Sequence, residues 1–146
     1  KYIFIFTSPN SDPGYHEIQS QINKIKNNKD CHYFYNLGSK KYYSLLKISK
    51  LLIGNSSSGI LEAPVLKIPS INIGDRQKGR LLENSVLNSE FNEKKILVTI
   101  KKALKRKNKI LKLKYYKNQK ASEKMINILS NIKFNKITTK KFYEKR

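Results

Sequence analysis

The stretch Ile53-Gly-Asn-Ser-Ser-Ser-Gly-Ile-Leu-Glu-Ala-Pro64 decides the fold of this chain. A short apolar strand, Leu51–Gly54, runs into a tight turn of small polar residues, and a helix follows that Pro64 limits or bends. The first turn of a helix has unpaired N–H groups and a partial positive charge, so it favours a bound anion. Serine hydroxyls add donors without bulk. The turn is therefore typical of a phosphate site, although a serine-capped helix without any ligand would have the same pattern.

Strands and helices alternate on both sides of this turn. Apolar runs predict a buried strand at Tyr2–Phe6 and further strands at Cys31–Tyr35 and Ser70–Ile73. Helical spacing of apolar residues predicts four more helices, around Ile18–Ile25, over Ser39–Ser49, from the cap Asn92 to about Arg106, and over Ala121–Ile132. This alternation predicts an α/β fold, Rossmann-like, with a parallel sheet and helices on both faces.

Three polar, glycine-containing loops follow predicted strands: Thr7–Gly14, Asn55–Gly59 and Gly74–Arg80. Because ligands bind beyond the carboxyl ends of the strands in such sheets, we expect the three loops to meet at one edge. This edge is where a functional site is predicted.

Composition excludes several classes of protein. The net charge is +21, and residues 101–146 hold 17 Lys and Arg against 2 acidic residues. A basic arm could bind phosphates. However, Lys outnumbers Arg 27 to 4, and Arg is the preferred residue for bidentate hydrogen bonds to bases and phosphates. We therefore predict no nucleic-acid function. The lone Cys31 excludes an internal disulfide and fits the cytoplasm. No apolar run of about 18 residues or secretory signal is present, so no membrane association is predicted.

Two charged positions near the predicted edge have both a functional and a structural interpretation. Glu62 is expected in the first turn of the helix after the serines, where it suits the helix dipole or could accept hydrogen bonds from ribose hydroxyls. Arg76 could reach phosphate or sugar oxygens, or could pair with Asp75 in a solvated loop. A serine-hydrolase elbow is excluded, because Ser58 stands where that motif needs its second glycine.

Two segments in sequence carry a family resemblance. Gly54-Asn-Ser-Ser-Ser-Gly-Ile-Leu-Glu-Ala-Pro64 and Ile71-Asn-Ile-Gly-Asp-Arg-Gln-Lys-Gly-Arg80 resemble the UDP-N-acetylglucosamine 2-epimerase family, in its hydrolysing branch. Further similarity lies at Phe6–Asp12, Leu37-Gly38 with Tyr42–Leu46, and Gln119–Met125. The resemblance implies the C-terminal, nucleotide-binding half of a GT-B-like fold. It covers residues 1–132 as a UDP-sugar-binding domain and leaves 133–146 as a basic tail.

The resemblance also implies roles for individual residues. Ser56 and Ser57 would contact the diphosphate, Glu62 would hold the ribose, and the backbone near Leu37 would face the uracil. Asn10 and Arg76 match polar positions near the nucleotide, and Ser58 and Gly59 would shape the turn. His16 and His32 match neither the family's active-site histidine nor a metal site, so no metal and no cofactor are predicted.

The activity implied for the whole enzyme is conversion of UDP-N-acetylglucosamine, or a modified relative, to UDP and the free 2-epimeric sugar of N-acetylmannosamine type, as in sialic-acid biosynthesis. The family's acid–base residues belong to an N-terminal domain, so we predict no catalytic residue here and no activity for this chain alone. The expected partners are a UDP-sugar and that N-terminal domain, with a homo-oligomer as a further option. A non-hydrolysing epimerase and a stand-alone nucleotide-sugar binding module are the alternatives.

Overall fold

The computed structural model describes residues 2–9, 13–106, 113–115 and 120–132. These residues form five strands and five helices, mostly in alternation, and the α/β prediction is confirmed. In chain order they are β1 (Phe4–Thr7), α1 (Tyr15–Ile25), β2 (Cys31–Phe34), α2 (Gly38–Ile48), β3 (Leu52–Gly54), α3 (Ser58–Val65), β4 (Ser70–Ile73), β5 (Val86–Ser89), α4 (Glu93–Lys105) and α5 (Ala121–Asn131). The predicted basic tail, 133–146, lies outside the described residues.

All strand pairs are parallel, but the strands form two sheets and not the single sheet that was expected. One sheet pairs β1 with β2, and the other has the order β3-β4-β5. Strand β5 was not predicted, because Val86-Leu-Asn-Ser89 has only two apolar residues. Pairing with β4 recruits it into the sheet, which illustrates how strongly strand formation depends on neighbours.

The three-stranded sheet holds the most buried part of the molecule. Ile71 of β4 is 1% exposed, and Ile60 of α3 is completely buried against this sheet. The hydroxyl of Ser70 donates a hydrogen bond to the carbonyl of Gly59. A Cβ added at Gly59 would lie 3.8 Å from the Ser70 Cβ, so α3 begins in direct contact with β4.

Helix α2 packs beside the three-stranded sheet. Its Leu46 forms a buried cluster with Ala63 of α3 and Ile68, and Tyr42, Leu52 and Leu66 pack around this cluster. The helix that follows β2 is therefore fixed beside β3 and α3.

Local signals in the sequence set several element boundaries. Pro64 limits α3, which ends one residue later at Val65. The predicted cap Asn92 is confirmed, since its side chain accepts a hydrogen bond of 3.1 Å from the Lys95 amide. The predicted burial of the first strand is wrong. Ile3 is 68% and Phe4 is 51% exposed, because among the described elements β2 alone makes extensive contact with β1 and no helix covers its faces to a similar extent.

Candidate functional site

The serine turn joins the carboxyl end of β3 to α3. The amides of Gly59 and Ile60 donate to the carbonyls of Ser56 and Ser57, at 3.1 and 3.0 Å, and the helix begins at Ser58. Ser57 occupies the cap position, yet its hydroxyl makes no capping hydrogen bond. Within the described part of the chain, the amides of Ser56 and Ser57 have no acceptor. Two amides and a hydroxyl are thus available to an anion at the positive end of α3.

Ser58 turns its hydroxyl toward α2, where it shares a hydrogen bond with the Tyr42 hydroxyl. Burial raises the pKa of Tyr42, the Ser58 hydrogen bond opposes this rise, and the nearby charge of Glu62 adds to it. Tyr42 is therefore a neutral phenol at physiological pH, able to donate one hydrogen bond and to accept others. Its contacts bring α2, the serine turn and Glu62 together.

Glu62 does not lie in the first turn of its helix, where it was predicted. Because α3 begins at Ser58, Glu62 is its fifth residue and falls one turn deeper. Its side chain is half-buried and close enough to Tyr42 to raise the pKa of that phenol. The carboxylate is therefore displaced from the helix terminus, within electrostatic range of Tyr42.

A cavity of about 740 Å³ opens at the carboxyl end of the β1–β2 sheet. Leu37 lines it, together with the start of the loop after β1 and four tyrosines; the lining residues are Thr7, Ser8, Pro9, Tyr15, Tyr35, Asn36, Leu37, Gly38, Ser39, Tyr42 and Tyr43. Because Tyr42 belongs to this lining and also bonds Ser58, the cavity adjoins the serine turn. Asn10, predicted near the nucleotide, lies outside the described residues.

The loop after β4 is held against the serine turn by Gln77. This side chain is 5% exposed, and its Nε2 donates a hydrogen bond of 2.8 Å to the Asn55 carbonyl. Gly74 and Gly79 have φ values of 72° and 82°, a left-handed conformation that favours glycine. The structure confirms that the loops after β3 and β4 meet. Arg76 is exposed on this fixed loop.

Sequence reasoning missed Tyr42 and Gln77 as parts of the site. Tyr42 falls at helical spacing with Leu45 and Leu46, which indicates a core position and gives no sign of the Ser58 hydrogen bond. Gln77 sits in a polar loop, where no periodicity separates buried from exposed residues. The one available signal was a glutamine in a short loop bounded by two glycines.

The described residues were also searched for metal sites and membrane spans. No group of three His, Cys, Asp or Glu side chains among them could hold a metal ion. His16 and His32 are both exposed. None of the helices α1–α5 has the length and apolar character needed to cross a membrane.

Comparisons with known proteins point to one family. The sequence model of the UDP-N-acetylglucosamine 2-epimerase family matches residues 1–130. Over 95 residues the chain is 52% identical to the GDP/UDP-N,N'-diacetylbacillosamine 2-epimerase (hydrolyzing) of Campylobacter jejuni subsp. jejuni serotype O:2, covering 61% of this chain and 24% of that protein. Over 128 residues it is 32% identical to the UDP-N,N'-diacetylbacillosamine 2-epimerase (hydrolyzing) of Legionella pneumophila, covering 88% and 34%.

A solved structure has the same fold. The crystal structure of Methanocaldococcus jannaschii UDP-GlcNAc 2-epimerase, in complex with UDP-GlcNAc and UDP, superposes with a TM-score of 0.69 at 22% identity. The match covers 88% of this chain and 35% of that one. The chain thus spans about a quarter of the length of the Campylobacter relative and about a third of the Legionella protein.

Proposed function

The chain belongs to the UDP-N-acetylglucosamine 2-epimerase family, and we propose that it is the UDP-binding part of a hydrolysing 2-epimerase. The whole enzyme would convert UDP-N-acetylglucosamine, or a modified relative, to UDP and the free 2-epimeric sugar. The names of the two relatives include the word hydrolyzing, which favours this outcome over the non-hydrolysing alternative. A cytoplasmic location belongs to the same proposal.

One observation carries the binding proposal: Tyr42 joins the three predicted contact points of UDP. It lines the cavity that contains Leu37, it bonds Ser58 at the start of α3, and Glu62 is near enough to raise its pKa. The uracil would occupy the tyrosine-lined cavity, since aromatic rings suit a flat base. The ribose would lie against Glu62, and the diphosphate would reach the serine turn.

The serine turn supplies the charge complementarity for the diphosphate. The amides of Ser56 and Ser57 and the Ser57 hydroxyl have no acceptor in the described residues, and the helix dipole places a partial positive charge there. Such preorganised donors are most effective when negative charge develops on a leaving group. In the reaction proposed for the whole enzyme, the sugar's anomeric C–O bond breaks and UDP leaves with both bonding electrons. Arg76, on the loop held by Gln77, would add a cation.

Proton transfer would come from groups outside these 146 residues. A base must remove the C2 proton as UDP leaves, and an acid–base pair must then guide the addition of water to C1 and a proton to C2. Of the carboxylates at the described site, Glu62 is assigned to the ribose, and Asp75 is exposed on its loop. We therefore expect this chain to bind UDP without turning over UDP-N-acetylglucosamine.

Calorimetric titration of the wild type and three variants with UDP and with inorganic pyrophosphate tests the assignment. A charged group contributes roughly 1.5–3 kcal/mol per hydrogen bond, so Glu62→Ala should weaken UDP about ten- to a hundredfold and pyrophosphate much less. Ser57→Ala should weaken both ligands by similar factors. Glu93→Ala, at an exposed glutamate on α4, is the matched control and should bind like the wild type. Equal losses of UDP and pyrophosphate in Glu62→Ala would reject the ribose contact.

Whether the reaction releases a free sugar is tested with a whole enzyme of this family that carries these residues. The hydrolysing proposal predicts free 2-epimeric sugar and UDP in the proton NMR spectrum, and the non-hydrolysing alternative predicts an intact UDP-sugar epimer. Since one relative's name includes GDP, titration of this chain with GDP measures how strictly the cavity selects uracil.

A further inference from the structure

Helix α4 presents a basic face to solvent. Successive residues of a helix are about 100° apart around its axis, so Val98 lies roughly opposite Ala103. Ala103 is completely buried, whereas Val98 is 66% exposed. The five lysines of the helix all fall within about 60° of Val98: Lys94, Lys95, Lys101, Lys102 and Lys105. The helix therefore directs its whole set of cations away from the sheet.

Apolar side chains lie among these lysines. Val98 is at the centre of the basic face, and Leu97 is exposed at its margin. Phe91, just before the Asn92 cap, is 90% exposed. An apolar residue in this position often packs against the fourth helical residue, here Ile96, and so fixes the start of the helix. At 90% exposure, the Phe91 ring makes little contact of this kind and faces solvent.

Carboxylates offset only part of the charge of this face. Lys95 pairs with Glu90 at 2.5 Å, and both side chains are largely exposed. No ion pair joins the other four lysines of α4 to a carboxylate among the described residues. Residues 90–106 contain six Lys and Arg against Glu90 and Glu93, a net charge of +4. The face therefore favours an anionic partner.

The basic face is separate from the candidate UDP site. Helices α3 and α4 both contact β4 but make little or no contact with each other, as expected for helices on opposite faces of a parallel sheet. The lining of the tyrosine-rich cavity includes no residue of α4. A partner of this face would therefore bind independently of UDP.

We propose that the outward face of α4 docks on an anionic lipid surface, with Phe91 and Val98 in the interfacial layer and the lysines against the headgroups. A helix that lies on a bilayer needs apolar side chains beside a cationic face, and it does not need the length of a membrane span. The expectation of no membrane association rested on the lack of a spanning segment and of a secretory signal, and this kind of contact requires neither.

Other occupants fit the face less well. A second copy would bring its own lysines against these, and each chain carries a net charge of +21. A nucleic acid would neutralise the lysines but leave Phe91 and Val98 in water. An acidic protein would need a groove shaped to a convex helix and a projecting ring. A lipid surface adapts to both, because its headgroups supply negative charge and the layer beneath them is apolar.

Co-sedimentation of the 146-residue chain with lipid vesicles measures this binding. Vesicles of about one part phosphatidylglycerol to three parts phosphatidylcholine should retain the chain, and vesicles of phosphatidylcholine alone should retain little of it. A variant that combines Lys94→Gln, Lys101→Gln and Lys105→Gln should lower the partition coefficient by about fivefold for each lysine removed.

A second triple variant is the matched control. Lys24→Gln, Lys26→Gln and Lys29→Gln remove the same charge from exposed positions of α1 and the turn that follows it. At about 0.15 M salt this protein should bind within about twofold of the wild type, since charges far from the contact are screened. Equal losses in the two triple variants would show that a basic chain adsorbs through its net charge, and would overturn the proposal. No binding to the anionic vesicles would also overturn it.

Apolar substitutions separate a lipid contact from binding of soluble polyanions. Phe91→Ser and Val98→Ser each remove apolar area without changing the charge. Vesicle binding should weaken about tenfold in Phe91→Ser and less in Val98→Ser. Binding of a DNA duplex or of polyglutamate should be the same in both variants as in the wild type. Undiminished vesicle binding by both variants, or polyanion binding that depends on Phe91, would contradict a lipid contact.

Single tryptophans locate the contact on the molecule. The chain contains no tryptophan, so one introduced indole reports on its own position. The emission of Phe91→Trp should shift to shorter wavelength when anionic vesicles are added, because the indole enters a less polar layer. Ile18→Trp, at a half-exposed position of α1, is the control and should not shift. A shift in Ile18→Trp alone, or in neither protein while both co-sediment, would place the contact elsewhere and overturn the proposal.

Discussion

Apolar strands of similar composition are buried to very different extents in the two sheets of this protein. In β4, which pairs on both sides, Ile71 is 1% exposed. Helices α3 and α4 both contact this strand. In β1, which pairs on one side, the richer apolar run leaves Ile3 68% exposed. Burial here is set by the number of neighbours and not by the hydropathy of the strand itself.

The candidate site spans both regions. The serine turn belongs to the well-packed three-stranded sheet, where Gly59 contacts Ser70 and Gln77 holds the next loop. The cavity belongs to the sparsely packed β1–β2 sheet. Tyr42 connects the two, so the nucleotide we propose would contact a rigid anion site and a less supported base pocket.

The largest effect expected from this difference is on stability. Ile71→Ala should lower the free energy of unfolding by about 2–5 kcal/mol, because it opens a cavity in a closed core. Ile3→Ala should change it by less than about 0.5 kcal/mol, since the side chain is already exposed. Urea unfolding followed by circular dichroism measures both. Similar losses for the two variants would mean that β1 is buried in solution.

A smaller loss of stability is expected on substitution of Glu83, which lies beside β5. This carboxylate is 2% exposed and accepts hydrogen bonds from the amides of Lys114 and Tyr115, at 2.5 and 2.6 Å. Glu83→Gln keeps the shape but weakens both bonds, and should cost about 1–3 kcal/mol. The exposed Glu93→Gln serves as the control and should stay within about 0.5 kcal/mol of the wild type.

Faster hydrogen exchange at the amides of Lys114 and Tyr115 in Glu83→Gln would show that the loss of stability arises from the segment that contains these two residues. A Glu83→Gln protein as stable as the wild type would show that this contact does not hold the segment in place.

The smallest effect is expected at Tyr42, between the two regions. Tyr42→Phe removes the hydrogen bond to Ser58 and should cost about 0.5–1.5 kcal/mol near neutral pH. Burial raises the pKa of Tyr42 above the ordinary 10.0, so the unfolded chain releases this proton first as the pH rises. The stabilising contribution of the protonated Tyr42 side chain is present below about pH 10 and is lost above it. Between pH 8 and 11, the free energy of unfolding should therefore fall more steeply for the wild type than for Tyr42→Phe. Parallel curves for the two proteins would contradict this account.

The sequence predicted those features that depend on local chemistry. The Asn92 cap, the end of α3 near Pro64, and the meeting of the loops after β3 and β4 all follow from short patterns. Strand β5 and the exposure of β1 depend on neighbouring strands, which a one-dimensional pattern does not contain.

The parts of the site that sequence missed depend on contacts between distant elements. Tyr42 and Ser58 are 16 residues apart, and Gln77 and Asn55 are 22 apart. Helical spacing assigned Tyr42 to the core, and this residue both packs against the buried cluster and lines the cavity. Glu62 was placed one turn too early, since the helix begins at Ser58 and not after Gly59.

The most direct test of the central claim is an amide NMR titration of the 146-residue chain with UDP and with pyrophosphate. The account predicts that both ligands shift the amides of Ser56 and Ser57, and that UDP alone also shifts Gly38, beside Leu37 in the cavity lining. The shifts should saturate at a one-to-one ratio and be absent from the Lys-rich helix α4. Shifts confined to α4, or a UDP response that spares Ser56 and Ser57, would contradict the claim that this turn holds the diphosphate.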